Sequence, residues 1–171
     1  VAADADRVRE DATALLRELM AAPEHDGWFT ENYCRQSRFF KPENGRKIEG
    51  IRIKIEALSL DPTLEAIALV SLMEAADRVD STTGVQMAYL KSWAPRAHNP
   101  LELRLPAILP GPGEAMNLDV LDAAREVEAD LVYLDPPYNQ HSYLGNYHIW
   151  ETLVRWDAPD IYGVACKRVD C

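Results

Sequence analysis

Four consecutive residues, Asp135-Pro136-Pro137-Tyr138, carry the most specific chemistry in this sequence. They follow the apolar run Leu131-Val132-Tyr133-Leu134, which reads as a buried strand, so Asp135 falls at a strand's carboxyl end, the edge where open parallel sheets bind ligands. Two prolines in a row fix the backbone and remove two amide donors, leaving stiff carbonyl acceptors beside an acidic side chain. Rigid acceptors of this kind suit an amino group whose lone pair is delocalised into an aromatic ring. By accepting its hydrogen bonds they position the nitrogen and favour a more pyramidal, more nucleophilic form. Tyr138 adds a flat face on which a base drawn out of a duplex can stack.

The elements that must hold these residues divide the chain near Pro100. Residues 1–100 read as mainly helical. Val8, Leu15, Leu16 and Leu19 mark an amphipathic helix over 1–20. A loop with Pro23, Gly27 and Pro42 follows, holding a short helix near 32–40, and then Ile48, Ile51, Ile55 and Leu58 recur at helical intervals. Asp61-Pro62 caps and starts an apolar helix over 63–80, and a further helix is predicted over 85–93. After residue 100 the character changes: 101–109 alternates as a strand, 110–113 is a Pro-Gly turn, 115–120 a short strand, 121–128 a helix and 130–134 the buried strand. Strand, helix, strand predicts a parallel βαβ unit and an α/β fold class.

With 171 residues and a net charge of -10, the chain lacks the basic balance usual for an independent nucleic-acid binder. The charge is uneven, however. Arg35, Arg38, Lys41, Arg46, Lys47, Arg52 and Lys54 fall in one short stretch with Tyr33, Phe39 and Phe40 among them, a candidate nucleic-acid face that reads equally well as a solvated helix and loop surface. Cys34, Cys166 and Cys171 are spaced neither as a zinc site nor as a disulfide framework, and His25, His98, His141 and His148 show no ligand spacing, so no metal is predicted. No apolar stretch approaches the roughly 20 residues of a membrane span, and the start lacks the order of a secretory signal; the cytoplasm is the expected location.

The tetrapeptide with its apolar run and the following Asn139 resembles the catalytic motif of the Dam-type DNA adenine methylases. That resemblance implies a partial Rossmann-like S-adenosylmethionine methyltransferase sheet over 101–171 and a helical insertion or target-recognition segment over 1–100. It implies that Asp135 and the Pro136 carbonyl bind the target amino group, that Pro137 stiffens the loop and that Tyr138 stacks on a flipped adenine. Leu118-Asp119-Val120 resembles the family's short acidic strand-end motif, which makes Asp119 and Val120 candidate contacts to S-adenosylmethionine; Asp119 serves equally as a helix cap, a role for which Asp122 competes. Asn32-Tyr33, Arg38-Phe39-Phe40, Asn44, His141-Ser142-Tyr143 and the run Tyr147-His148-Ile149-Trp150-Glu151-Thr152 resemble one bacterial and archaeal branch.

The partners implied are double-stranded DNA, with Arg35, Arg38, Lys41, Arg46 and Lys47 as its candidate contacts, and, in a restriction-modification pair, a restriction endonuclease. The family's Phe-x-Gly-x-Gly loop, which closes around the methionine part of the donor, has no counterpart here. The expectation is an internal fragment, inactive in isolation. Two other readings compete: an amino-methyltransferase acting on RNA bases, which uses the same tetrapeptide, and a non-catalytic nucleic-acid-binding relative.

Overall fold

The computed structural model describes residues 2–109, 111, 113–135 and 142–171. Most of the core belongs to a helical body. Helix α1 (Ala2–Met20) and the short turn α2 (Trp28–Thr30) lead through a π-helical turn (Glu31–Gln36) to α3 (Pro42–Leu58) and α4 (Pro62–Asp77). Pro42 opens α3 at the position where a missing amide costs nothing, and Ser59 ends it in the left-handed region at φ 46°. Asp61 caps α4 as its spacing predicts, accepting from the Thr63 and Leu64 amides at 3.0 and 3.3 Å. Leu15, Leu16 and Leu19 of α1, Ile48, Ile51 and Ile55 of α3, and Ala68, Leu72 and Ala76 of α4 form one core with Phe29, Tyr33, Phe39 and Phe40.

Two local features explain residues that the sequence leaves bland. Glu49 is buried in α3, where its carboxylate accepts from the amides of Gly27, Phe29 and Thr30 at 2.9–3.2 Å and from the Thr30 hydroxyl at 2.7 Å. It thereby satisfies the orphan donors at the start of α2. Gly50 sits where a Cβ would lie 2.0 Å from the Pro23 carbonyl oxygen, so α3 approaches the preceding loop more closely than any side chain permits.

The chain after residue 142 returns to this body. Helix α6 (Tyr143–Asn146) leads directly into α7 (His148–Arg155), and an antiparallel pair, β1 (Ile161–Tyr162) and β2 (Lys167–Arg168), follows. Ile149 and Leu153 of α7 enter the core. Thr152 donates to the His148 carbonyl at 2.9 Å, which leaves the Tyr33 hydroxyl, 3.2 Å away, as donor to Thr152.

Several expectations are corrected between residues 80 and 135. Residues 85–93 form no helix; they are a loop held by a Thr82–Tyr89 bridge. The predicted strand over 101–109 is a strap without strand pairing whose groups bond to the helical body instead: Ser71 of α4 and Arg78, which caps the end of α4, donate to the carbonyls of Arg104 and Glu102, and the Leu101 amide donates to Asn44. Residues 115–119, expected as a short strand, form none among the described residues. The helix predicted over 121–128 is α5 (Val120–Glu126). Residues 131–134, expected as a buried parallel strand, form no strand and face solvent, with Leu131 88% and Tyr133 86% exposed. A parallel strand is stabilised by ladders to its neighbours, and among the described residues the only sheet is the two-stranded β1-β2 pair. The predicted turn at 110–113 is described only in part, since Pro110 and Pro112 lie outside the described residues.

His148 is wholly buried against Tyr33 and Phe39, with Nε2 3.1 Å from the Ala165 carbonyl. Burial, helped by nearby Lys167 and Arg168, pushes its pKa down to about 4, whereas the bond to Ala165 opposes the shift. The unfolded chain takes up this proton near pH 6.5 and the native state resists it. Stability is therefore expected to fall as pH drops from 6.5 towards 4 and to level off below, by at most about 3 kcal/mol. Asp157 and Asp170, held below the usual carboxylate range by Arg168, titrate beneath that window. Denaturant midpoints measured between pH 7 and 4.5 should show the loss, and His148→Phe should flatten it; an unchanged slope in the variant would assign it elsewhere.

Candidate active site

Asp135 ends the solvent-facing apolar segment in an exposed position, and its backbone carbonyl accepts a hydrogen bond from the Tyr143 hydroxyl at 3.3 Å. The remaining members of the predicted tetrapeptide, Pro136, Pro137 and Tyr138, lie outside the described residues, as do 139–141. The site is thus approached from both flanks: the exposed run ending at Asp135, and Ser142 at the start of α6. Ser142 caps that helix by accepting from the Gly145 amide at 3.0 Å.

Asp119 acts as the N-cap of α5, its Oδ1 accepting from the Leu121 amide at 2.8 Å. Asp122, its competitor for that role, instead pairs with Arg125 at 2.7 Å. Val120 is the first residue of α5 and is exposed. A carboxylate has acceptor capacity beyond one bond, so capping leaves Asp119 able to accept from a ligand as well.

The predicted basic face is largely engaged within the protein. Arg35 forms a two-pronged pair with Asp26 at 2.6 and 2.7 Å and also reaches Glu31. Arg46 pairs with Glu24, and Lys41 with Glu43. Lys47 donates to the carbonyls of Met20 and Ala22, closing the carboxyl end of α1. Arg52 is buried and bonds to carbonyls of α7. Arg38 differs: its guanidinium lies 4.7 Å from the centre of the Trp93 ring and donates to the Lys91 carbonyl.

Tyr143, Tyr147 and Trp150 line a cleft of about 300 Å³ with Met73, Leu144 and Val154. The Tyr143 and Tyr147 rings stack at 6.4 Å with an interplanar angle of 18°. One residue of this neighbourhood carries no signal in the sequence: buried Gln86, whose amide donates to the Asn146 carbonyl and whose Oε1 accepts from the Ile149 amide, both at 2.7 Å. It clasps the junction between α6 and α7 from a loop 60 residues upstream of Asn146. Among the described residues no His, Cys, Asp and Glu cluster could hold a metal ion, and no helix is long and apolar enough to cross a membrane.

The class of protein is defined by comparison with known families. The description of the D12 class N6 adenine-specific DNA methyltransferases matches residues 1–170, and the chain belongs to that family. It is 31% identical over 157 residues to the modification methylase LlaI of Lactococcus lactis subsp. lactis, a match covering 85% of this chain and 25% of that protein. It is 33% identical over 157 residues to the type II methyltransferase M.NlaIII of Neisseria lactamica (85% and 47%) and 35% identical over 149 residues to M.FokI of Planomicrobium okeanokoites (81% and 23%). The chain therefore spans between about a quarter and about half the length of these relatives. No solved structure matches it.

Proposed function

We propose that the chain contributes the target-amine half of a methyltransferase that modifies the exocyclic amino nitrogen of adenine in double-stranded DNA. The observation that carries this reading is the family match over 1–170 together with an exposed Asp135 that ends an apolar run and precedes Pro136-Pro137-Tyr138 in the sequence. In this reading the Asp135 carboxylate and the Pro136 carbonyl accept from the two N–H bonds of the amino group, drawing the lone pair out of conjugation. Pro137 stiffens the segment, and Tyr138 stacks on the extrahelical adenine. The proton released from nitrogen passes to an Asp135 carboxylate oxygen or to water, so a separate base is unnecessary.

S-adenosylmethionine, the donor general to this family, supplies a methyl group activated on a sulfonium. Its adenine amino group is matched by the remaining acceptor capacity of Asp119 next to Val120. The fold that serves this chemistry is that of the S-adenosylmethionine methyltransferases, and the solvent-facing Leu131, Val132, Tyr133 and Leu134 offer an apolar surface for the rest of a Rossmann-like sheet to cover. Residues 1–100 act as the target-recognition segment, and Arg35, Arg38, Lys41, Arg46 and Lys47 are its candidate phosphate contacts. Arg38 gives up least on meeting DNA, since its described partners are a carbonyl and an indole face. A cytoplasmic setting and a restriction endonuclease partner complete the reading.

Its test is methyl transfer by the full-length protein from labelled S-adenosylmethionine to duplex DNA and to structured RNA. Label on the adenine amino nitrogen of DNA is the expected result. Label on RNA alone would overturn the choice of substrate, and label on neither would favour the non-catalytic relative.

A further inference from the structure

We propose that DNA lies across the surface where residues 81–98 meet residues 36–41, with Arg38 and Lys91 holding its phosphates and Trp93 positioning Arg38. The inference rests on the reading of the chain as part of a DNA methyltransferase. The sequence carries 28 acidic residues and a net charge of -10, so a polyanion is repelled over most of it and approaches best where carboxylates are missing. Residues 81–101 are the longest stretch without Asp or Glu, and 32–42 is a second such stretch. The fold joins the two. The Ser81 amide donates to the Phe39 carbonyl at 2.8 Å, and the Arg38 guanidinium donates to the Lys91 carbonyl at 2.7 Å. The Phe39 and Tyr89 rings meet edge to face at 5.3 Å, and Lys41 Nζ lies 3.3 Å from His98 Nδ1.

Pairing then separates the cations of this surface. Arg35, Lys41 and Arg96 meet Asp26, Glu43 and Asp80, which stand outside the two stretches, and a paired cation adds little net positive potential. Among the described residues no carboxylate pairs with Arg38 or Lys91. Lys91 is exposed. The Arg38 guanidinium lies 4.7 Å from the centre of the Trp93 ring, a contact that holds the planar fork while its remaining N–H donors stay available to an anion. The loop that carries Lys91 and Trp93 is itself fixed: the Leu90 amide donates to the Ser81 carbonyl at 2.8 Å, the Ala94 amide to the Ser81 hydroxyl at 3.0 Å, and Thr82 bridges to Tyr89. Two cations distant in sequence are thus set side by side before any ligand arrives. Arg17 of α1 is likewise without a carboxylate partner, but Glu10, Asp11 and Glu18 stand on the same helix.

The test is binding of a short duplex by the full-length protein between about 50 and 200 mM salt. Lys91→Ala and Arg38→Ala are each expected to weaken binding about three- to tenfold near 0.1 M salt and to reduce the slope of log K against log salt by about one. Lys91 is exposed and meets Arg38 through its backbone, so Lys91→Ala leaves the fold intact and carries the test even if Arg38→Ala does not fold. Trp93→Leu should weaken binding less than Arg38→Ala and add nothing to it, and Trp93→Phe should restore most of the affinity. Arg17→Ala removes the same charge from α1 and should leave affinity and slope within error of wild type. Salt-dependent duplex binding by wild type with an unaltered slope in Lys91→Ala, or an equal reduction in Arg17→Ala, overturns the inference alone. A wild-type protein that binds no duplex, or binds structured RNA instead, sinks the DNA reading and this inference with it.

Discussion

Asp135→Ala in the full-length protein is expected to reduce methyl transfer by at least about 10²–10³-fold, the scale seen when one preorganised electrostatic partner of a transition state is removed. The reasoning is differential. In the ground state the amino nitrogen is planar and its hydrogen bond to a carboxylate is ordinary; as the methyl group arrives the nitrogen becomes cationic, and the same carboxylate is worth far more. The loss should therefore appear in kcat and kcat/KM together, with KM for DNA little changed. Asp135 is exposed, so the substitution removes no buried side chain and the melting temperature should hold. Asp135→Asn is the informative companion, since it keeps one acceptor oxygen while removing the charge and should retain a small residual rate. Wild-type turnover in Asp135→Ala would return the tetrapeptide to a purely structural role.

How much of this was legible in the sequence depended on the range over which each signal acts. Local signals were legible: Asp61-Pro62 caps and starts α4 as expected, and the apolar repeat from Ile48 to Leu58 lies in α3, although that helix begins at Pro42, inside the expected loop. Signals that need a partner were not. The alternation over 101–109 satisfies a strand pattern, but the partners of that segment are Asn44 of α3, Ser71 of α4 and the capping Arg78, and the same pattern serves a strap. The apolar run before Asp135 describes a buried strand, and burial is a property of neighbours, not of the run itself. The basic stretch shows the same limit from the other side. Spacing reveals seven cations between Arg35 and Lys54, but not that carboxylates at Glu24, Asp26, Glu31 and Glu43 neutralise three of those proposed as DNA contacts. Gln86 had no signal at all, because a glutamine in a loop becomes a clasp only when a helix junction arrives against it.

Arg52 is the member of that stretch whose removal should cost the most stability. It reads as one more surface cation, but it is 2% exposed. Its Nε donates to the Leu153 carbonyl at 2.7 Å and its Nη2 to the Val154 carbonyl at 3.2 Å, two acceptors in the last turn of α7 that the helix itself cannot satisfy. A cation at a helix carboxyl end also meets the favourable end of its dipole, and the guanidinium lies 5.2 Å from the Trp156 ring centre while pairing with Glu56. Arg52→Ala strips these carbonyls of their donors and opens space beside Trp156. Hydrogen bonds from a charged donor contribute about 1.5–3 kcal/mol each; because the two act as one unit they do not add fully, and the expected loss is about 3 kcal/mol. Arg52→Lys should recover less than half, since a single ammonium cannot reach both carbonyls and lacks the flat face that lies over the indole. Urea midpoints followed by tryptophan fluorescence measure both. The functional consequence follows from connectivity: α7 begins two residues after α6 ends, and α6 carries Tyr143. Loosening the far end of α7 should therefore slow transfer in Arg52→Lys at temperatures where the protein is still folded. A destabilised variant with an unaltered transfer rate would show that α7 is scaffold alone.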